Sequence, residues 1–280
     1  MSDTQQLFPG KQFISTVLDA LDTKHAMTGQ IAQRYLQRSG TAGMIIAVFY
    51  LANYLTITAF AHGDPHHEAA TLGKLVGALV FGWALVFIYY TKSELLTSNM
   101  MIVTIGTYYH RIKWYRGLRL LALCYLGNII GGALIAALLA FSTLTAGNAA
   151  SHLDYSVGIK LAYLETGAGV VDLLIRAILC NFMINLAMLL VYNGYIKDDL
   201  TKCLAMIVSV FVFAFLGLEH SVANTVLFTI VGFQGNLDLL PALGNVAVCL
   251  VGNFIGGGLL IGLYYAYAND DTRYLRRQSS

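Results

Sequence analysis

Apolar residues run almost unbroken over six stretches of the chain, near residues 41–61, 72–108, 118–142, 168–194, 202–232 and 243–268. A helix rises 1.5 Å per residue, so about 20 apolar residues cross the roughly 30 Å hydrocarbon core of a bilayer. Each stretch is long enough, and the pattern predicts six transmembrane helices. Two stretches are too long for one straight helix and carry polar interruptions. The second holds "KSELLTSN" (Lys92 to Asn99) and the fifth holds "EHSVAN" (Glu219 to Asn224). The only prolines are Pro9, Pro65 and Pro241, so neither break is a proline kink.

Ahead of the first stretch, Phe13, Val17 and Leu21, with Ile14 and Leu18 beside them, form one apolar stripe at helical spacing. Lys11, Asp19, Asp22 and Lys24 lie largely off it. Residues 1–40 are therefore expected to hold an amphipathic helix, lying on the membrane surface or packed against a neighbouring subunit. The rest divides into a first three-helix unit (41–142), an extracytoplasmic connection (143–167), a second three-helix unit (168–268) and a tail (269–280).

Loop charge gives the orientation. Arg111, Lys113, Arg116 and Arg119 follow the second stretch, Lys197 and Lys202 join the fourth to the fifth, and Arg273, Arg276 and Arg277 sit in the tail. The alternate loops, near "HGDPHHEAA", "SHLDYSVGIK" and "GFQGNLDLLP", are poor in Lys and Arg. Both termini are expected to be cytoplasmic.

The two interruptions belong to a repeat. "ELLTSN" and "EHSVAN" share E-x-x-x-x-N, and "LGNIIGGALI" (Leu126 to Ile135) nearly coincides with "VGNFIGGGLL" (Val251 to Leu260). Glu94 and Glu219, Asn99 and Asn224, Asn128 and Asn253, and Gly131 and Gly256 are each 125 positions apart. Each half holds three spans, an odd number, so the second half enters the membrane inverted. Inverted repeats with a broken helix at the same place in each half point to a transport site near the midplane. The glycine-rich stretches lie within predicted spans, where small residues let helices approach closely, and they read as packing surfaces, not phosphate loops.

Composition agrees. Of 280 residues 57% are hydrophobic and 11% charged, well below the roughly 25% charged of soluble domains. A net charge of +2 with no basic–aromatic cluster gives no nucleic-acid partner. Cys124, Cys180, Cys203 and Cys249 are scattered in or beside apolar runs and read as small core residues, with no metal and no cofactor expected. The start "MSDTQQLFPG" lacks a basic segment followed by an apolar run, so no cleaved signal peptide is expected.

His220 is the one histidine of seven placed inside a predicted span. An imidazole at a helix break can hydrogen-bond or exchange a proton near neutral pH, against the alternative of a satisfied core histidine. Thr97, on the loop expected to face it, offers a hydroxyl. Glu94 and Glu219 could relay protons, but because both halves keep the acid they read better as acceptors of backbone N–H groups freed by the breaks. Asp172 and Arg176, four apart, are expected to form a buried pair. No G-x-S-x-G or H-E-x-x-H pattern supports hydrolytic chemistry, and an enzyme is not expected. Water and glycerol pores usually carry N-P-A at each half-helix, and ammonium channels carry paired histidines; this chain has neither.

The motifs "SELLTSN", "ILCNFMINLA", "GLEHSVAN" and "GNFIGGGLLIG", in this order, resemble the formate/nitrite transporter family from about residue 10 to 265. The resemblance implies an aquaporin-like fold, a homopentamer in a cell's plasma membrane (the inner membrane of a bacterium) and one pore per subunit. The substrates it implies are small monovalent anions or acids such as formate, nitrite, lactate, acetate or hydrosulfide. It makes His220 the central pore histidine and Thr97 the facing threonine. Leu95, Phe81, Leu85 and Phe213 become the apolar slits, and Asn181 and Asn253 the pore-lining asparagines. The family's vestibule lysine falls at or near Glu165, with Lys160 the nearest lysine, and a carboxylate there would not draw in anions. Passage as the neutral acid, coupled to a proton, and a pH-gated anion channel are the two mechanisms left open.

Overall fold

A computed structural model describes residues 7–61, 68–235, 237–272 and 274–275. Pro65, most of the "HGDPHHEAA" loop and Arg273, Arg276 and Arg277 lie outside the described residues. Within them the chain is helical throughout, as a membrane solvent demands, because lipid offers no partner to an unpaired backbone N–H or C=O. The helices are α1 (Lys11–Gln30), α2 (Ala32–Ala61), α3 (Glu68–Tyr90), α4 (Leu96–Tyr108), α5 (Trp114–Leu139), α6 (Asn148–Ala162), α7 (Gly167–Tyr192), α8 (Asp199–Phe215), α9 (Ser221–Phe233) and α10 (Leu239–Asn253). α10 continues as a π-helical stretch, Phe254–Leu263, into α11 (Tyr264–Ala268).

Five of these helical runs are long and apolar enough to cross a membrane alone: Ala32–Phe60, Ala69–Tyr90, Trp114–Leu139, Gly167–Tyr192 and Leu239–Ala268. The apolar run near 202–232 is divided into α8 and α9, neither long enough by itself. The run 72–108 is divided into α3 and α4. Along α5, Leu126, Ile130, Leu134 and Leu138 stand one turn apart and exposed, an outward apolar face suited to lipid or another copy.

Glycines set the closest helix contacts. A Cβ on Gly131 would stand 1.8 Å from the Gly40 carbonyl oxygen, and one on Gly256 2.0 Å from that of Ile178. One on Gly257, in the π-helical stretch, would meet the Asn181 and Asn185 side-chain amides at 2.3 Å. The glycine-rich repeats are thus packing surfaces for α2 and α7.

The stripe of α1 packs largely within this chain: Phe13 and Val17 are fully buried and Leu21 nearly so, while Leu18 is partly exposed. Leu21 sits against Gly106 of α4, and the Phe13 ring is 6.0 Å from that of Tyr265. Enough apolar area is available inside the chain's own bundle to cover most of the stripe. The segment 143–167, expected as a connection, contains the 15-residue α6, held by buried Ala149, Leu153 and Val157.

Candidate functional site

Both helix breaks end the same way. α3 stops at Tyr90 and α8 at Phe215, and the residue in the left-handed region is Lys92 (φ 56°) in one and Gly217 (φ 65°) in the other. Ser93 N–H donates to the Ile88 carbonyl (3.0 Å) and Leu218 N–H to that of Phe213 (2.9 Å), the long-range bond of a Schellman ending. Lys92 takes this conformation without glycine's freedom, at a steric cost of about 1–2 kcal/mol.

The groups freed by the breaks are satisfied by asparagines. Asn128 Oδ1 accepts from Leu96 N–H (3.1 Å) while its Nδ2 donates to the Glu94 and Ser39 carbonyls (2.8 Å each). Asn253 repeats this with Ser221 N–H (2.9 Å) and the Glu219 (3.0 Å) and Ala177 (2.8 Å) carbonyls. Glu94 N–H donates to the Arg38 carbonyl and Glu219 N–H to that of Arg176. These bonds place α2 and α7 in register at an offset of 138, beside the 125 of the loops.

The glutamate side chains do not take the freed backbone N–H groups as expected. Glu219 Oε2 accepts from Lys160 Nζ and Asn224 Nδ2, each at 2.6 Å. Glu94 bonds Lys24 and Asn99 in the same way. Asn99 and Asn224 also reach Cys124 Sγ (3.3 Å) and Cys249 Sγ (3.4 Å), again 125 apart. A buried carboxylate needs a cation more than it needs another amide, since an unpaired charge in this medium is the larger cost. Lys24 comes from α1 and Lys160 from α6, outside the repeated motifs, which is why the motifs did not reveal them.

His220 is the N-cap of α9. Its Nδ1 accepts from Ala223 N–H at 3.1 Å, so the neutral ring carries its hydrogen on Nε2, which lies 3.0 Å from Thr97 Oγ1. Thr97 is the second residue of α4, so the N-terminal ends of two half-helices meet here. The Phe213 ring stacks on His220 with centroids 6.0 Å apart.

Two cavities approach this junction. One of about 360 Å³ is lined by Lys24, Arg38, Lys92, Glu94, Leu85 and Leu95 among others. The other, about 350 Å³, is lined by Lys160, Glu219, His220, Phe81, Phe213 and Tyr50 among others. Between them lies a chamber of about 10 Å³, walled by Leu85 and Leu95 towards the first and by Phe81, Phe213 and His220 towards the second. The four apolar residues that resemblance assigned to slits are therefore brought together around the histidine.

Asn181 and Asn253 are fully buried and line none of these three cavities. Asn181 donates to the carbonyls of Thr97 (3.1 Å) and Asn253 (2.7 Å) and accepts from Asn185 (2.8 Å). Their amides hold the two loops. Glu165 is exposed on a short 3-10 turn and forms no part of the cavity wall; buried Lys160 does. Of the two residues expected at a vestibule, Glu165 and Lys160, α6 turns Lys160 inward to the cavity wall, where it pairs with Glu219. Asp172 and Arg176 pair at 3.0 Å, but with side chains 48% and 33% exposed they are not a buried pair. Arg176 also donates to the Gly217 carbonyl (3.1 Å). Tyr50, Asn53, Tyr54 and Asn185 went unread in the sequence; the four-residue spacing of Tyr50 and Tyr54 inside a span was the available signal. Among the described residues no cluster of His, Cys, Asp and Glu could hold a metal ion.

The chain matches the model of a family described as "Formate/nitrite transporter" over residues 11–267. It is 30% identical over 250 residues to the formate channel FocA of Haemophilus influenzae, covering 81% of this chain and 84% of the relative. It is 29% identical over 227 residues to the nitrite transporter NirC of Salmonella typhimurium, covering 80% and 77%. Among solved structures, an "FNT family ion channel" superposes with a TM-score of 0.78 at 25% identity, covering 93% of this chain and all of that one. A "Pentameric formate channel with formate bound" superposes at 0.68 and 21% identity, covering 87% and 98%, and shows the shared fold. With apolar helices that cross the membrane several times and two half-helices meeting at a buried histidine, this chain belongs to the formate/nitrite transporter family.

Proposed function

We propose that the chain is a homopentameric pore for small monovalent anions or their weak acids, such as formate, acetate, lactate and nitrite, with one path per subunit past His220 and Thr97. Each subunit has six crossings in two inverted three-helix repeats, α3–α4 and α8–α9 being the interrupted second and fifth. Both termini are cytoplasmic. The observation that carries this reading is the 3.0 Å contact of Thr97 and His220, set between two lysine-bearing cavities and flanked by apolar residues on either side. Names of relatives that carry formate and nitrite support the substrate class.

A bare anion would lose several kcal/mol of hydration between Leu85 and Leu95 or between Phe81 and Phe213. In this mechanism it gathers near Lys160 or Lys24, gains a proton and crosses as the neutral acid. The proton comes from water. An imidazole whose Nδ1 is occupied as an acceptor holds only its Nε2 hydrogen, which it can offer as a hydrogen bond but not give away without becoming imidazolate. His220 and Thr97 then replace the hydration that the substrate loses.

A second reading is a pH-gated anion channel conducting formate, nitrite or hydrosulfide without a proton. The meeting of two half-helix N-termini favours it, since their partial positive charges stabilise an anion. Liposomes holding the purified protein separate the two. Labelled formate and lactate entry is measured at external pH about 5.5 and 7.5, either side of the imidazole reference value, with internal pH recorded. Uptake that rises at low pH with one proton per substrate supports neutral passage; uptake set by voltage alone, indifferent to pH, rejects it.

A further inference from the structure

The cavity that contains Lys160 holds a donor that the proposed mechanism leaves unused. Tyr50 and Tyr54 stand one turn apart on α2, their ring centroids 4.9 Å apart. Tyr54 donates its hydroxyl hydrogen to the Tyr50 oxygen at 3.1 Å, and the Tyr54 ring is held edge-on to His152 at 5.6 Å. The hydrogen of Tyr50 itself has no acceptor among the described residues. Buried phenols normally find a partner for the hydroxyl, and one that already accepts a hydrogen bond is a stronger donor.

Its place is the entrance of the constriction. The Tyr50 ring lies 5.0 Å from Phe81, Phe81 lies 5.8 Å from Phe213, and Phe213 stacks on His220. Tyr50 lines the same cavity as Lys160, Glu219 and His220. At the offset of 138 that relates α2 to α7, Tyr54 corresponds to Tyr192 but Tyr50 corresponds to Met188, and both counterparts line the cavity of Lys24. Packing alone is met by an apolar side chain on that side. The hydroxyl is present on one side only.

We infer that the Tyr50 hydroxyl is a substrate-binding group, donating to an oxygen of a small oxyanion or its acid as that molecule leaves Lys160 for the constriction. The inference rests on the transport reading above. It favours ligands with an acceptor oxygen, carboxylates and nitrite, over hydrosulfide, whose sulfur is a weaker and longer-range hydrogen-bond acceptor.

The test uses the full chain in liposomes, with formate and hydrosulfide as probes, in the unaltered protein and in Tyr50→Phe and Tyr54→Phe. Phenylalanine keeps both ring contacts. Tyr50→Phe is expected to raise the half-saturating formate concentration roughly three- to tenfold while hydrosulfide flux changes less than about twofold. Tyr54→Phe, which removes the donor to Tyr50 but not the Tyr50 hydroxyl, gives a smaller rise for formate only. If Tyr50→Phe leaves formate half-saturation unchanged, or shifts formate and hydrosulfide equally, the hydroxyl has only a packing role and the inference is wrong. Should the unaltered protein carry neither formate nor hydrosulfide, the transport reading falls, and this inference with it; hydrosulfide flux without formate flux overturns the inference alone. Should Tyr50→Phe not assemble, the formate-only shift in Tyr54→Phe decides, and its absence overturns the inference.

Discussion

Thr97 Oγ1 and His220 Nε2 meet at 3.0 Å, although 123 positions of sequence separate them. Each belongs to the opening turn or cap of a half-helix, so the contact joins two helix N-termini in the interior of the chain. The His220 ring serves both ends of this arrangement: Nδ1 caps α9 and Nε2 faces Thr97. Capping and the contact with Thr97 can therefore be separated by mutation.

His220→Asn keeps an acceptor suited to an N-cap but shortens the reach to Thr97. We expect thermal stability within about 0.5 kcal/mol of the parent and formate flux at least about tenfold lower. His220→Ala also loses the cap, with a further cost of about 0.5–2 kcal/mol. Paired unfolding and liposome flux measurements check this. Flux in His220→Asn equal to the parent would remove the histidine from the path.

Lys160→Met leaves the Glu219 carboxylate buried beside Asn224 without its cation. A buried charge stripped of its partner costs about 3–5 kcal/mol, so a pronounced fall in unfolding midpoint is expected. Lys160→Met combined with Glu219→Gln removes both charges and should recover most of that loss. A double variant as unstable as the single one would show that the pair contributes packing, not charge compensation.

Gly131→Ala places a methyl group 1.8 Å from the Gly40 carbonyl oxygen, where backbone must yield. Overpacking of this kind costs about 1–3 kcal/mol or more, and assembled protein should be sharply reduced. Gly158 of α6 is exposed and has nothing within 4 Å of a built Cβ. Gly158→Ala should stabilise the helix by about 0.5–1 kcal/mol. Size-exclusion yield and unfolding midpoints of the two variants give the comparison.

Arg111 clamps Asp22 with a bond of 2.7 Å, tying α1 to the loop after α4, and this hydrogen bond holds the Asp22 carboxyl below its usual range. A carboxyl lowered by folding contributes stability above its unfolded value of about 3.9, and that contribution is lost as pH falls through the lower folded value. Both side chains are about half exposed, so salt weakens the clamp. Amide exchange in α1 should accelerate in Asp22→Asn near neutral pH, and in the parent only under strongly acidic conditions. Equal exchange in parent and variant near pH 7 would mean that buried Phe13, Val17 and Leu21 alone hold α1.

Much of the architecture was legible because membrane thickness writes a one-dimensional signal. Long uncharged runs mark the spans, and "SELLTSN" and "GLEHSVAN" mark the places where the chain leaves helix. The offset of 125 returns in the structure as matched bonds from Asn128 and Asn253. α6 was less legible, since its apolar positions are few and it lies between the longer runs. The stripe of α1 was legible, but what covers it was not.

The sequence alone determined where polar groups sit in apolar surroundings, and hence which groups need partners. Only the tertiary structure decided which partners they find. Lys24 lies 70 positions from Glu94, and Lys160 lies 59 from Glu219, with no shared spacing to reveal them. It also decided that Lys160, not Glu165, lines the cavity, that Asn181 and Asn253 bind backbone, and that Tyr50 stands beside Phe81. The reason is physical. Hydrophobic periodicity is local and survives any arrangement of helices, whereas a buried charge or an open helix end is satisfied by whichever group the packing brings within about 3 Å.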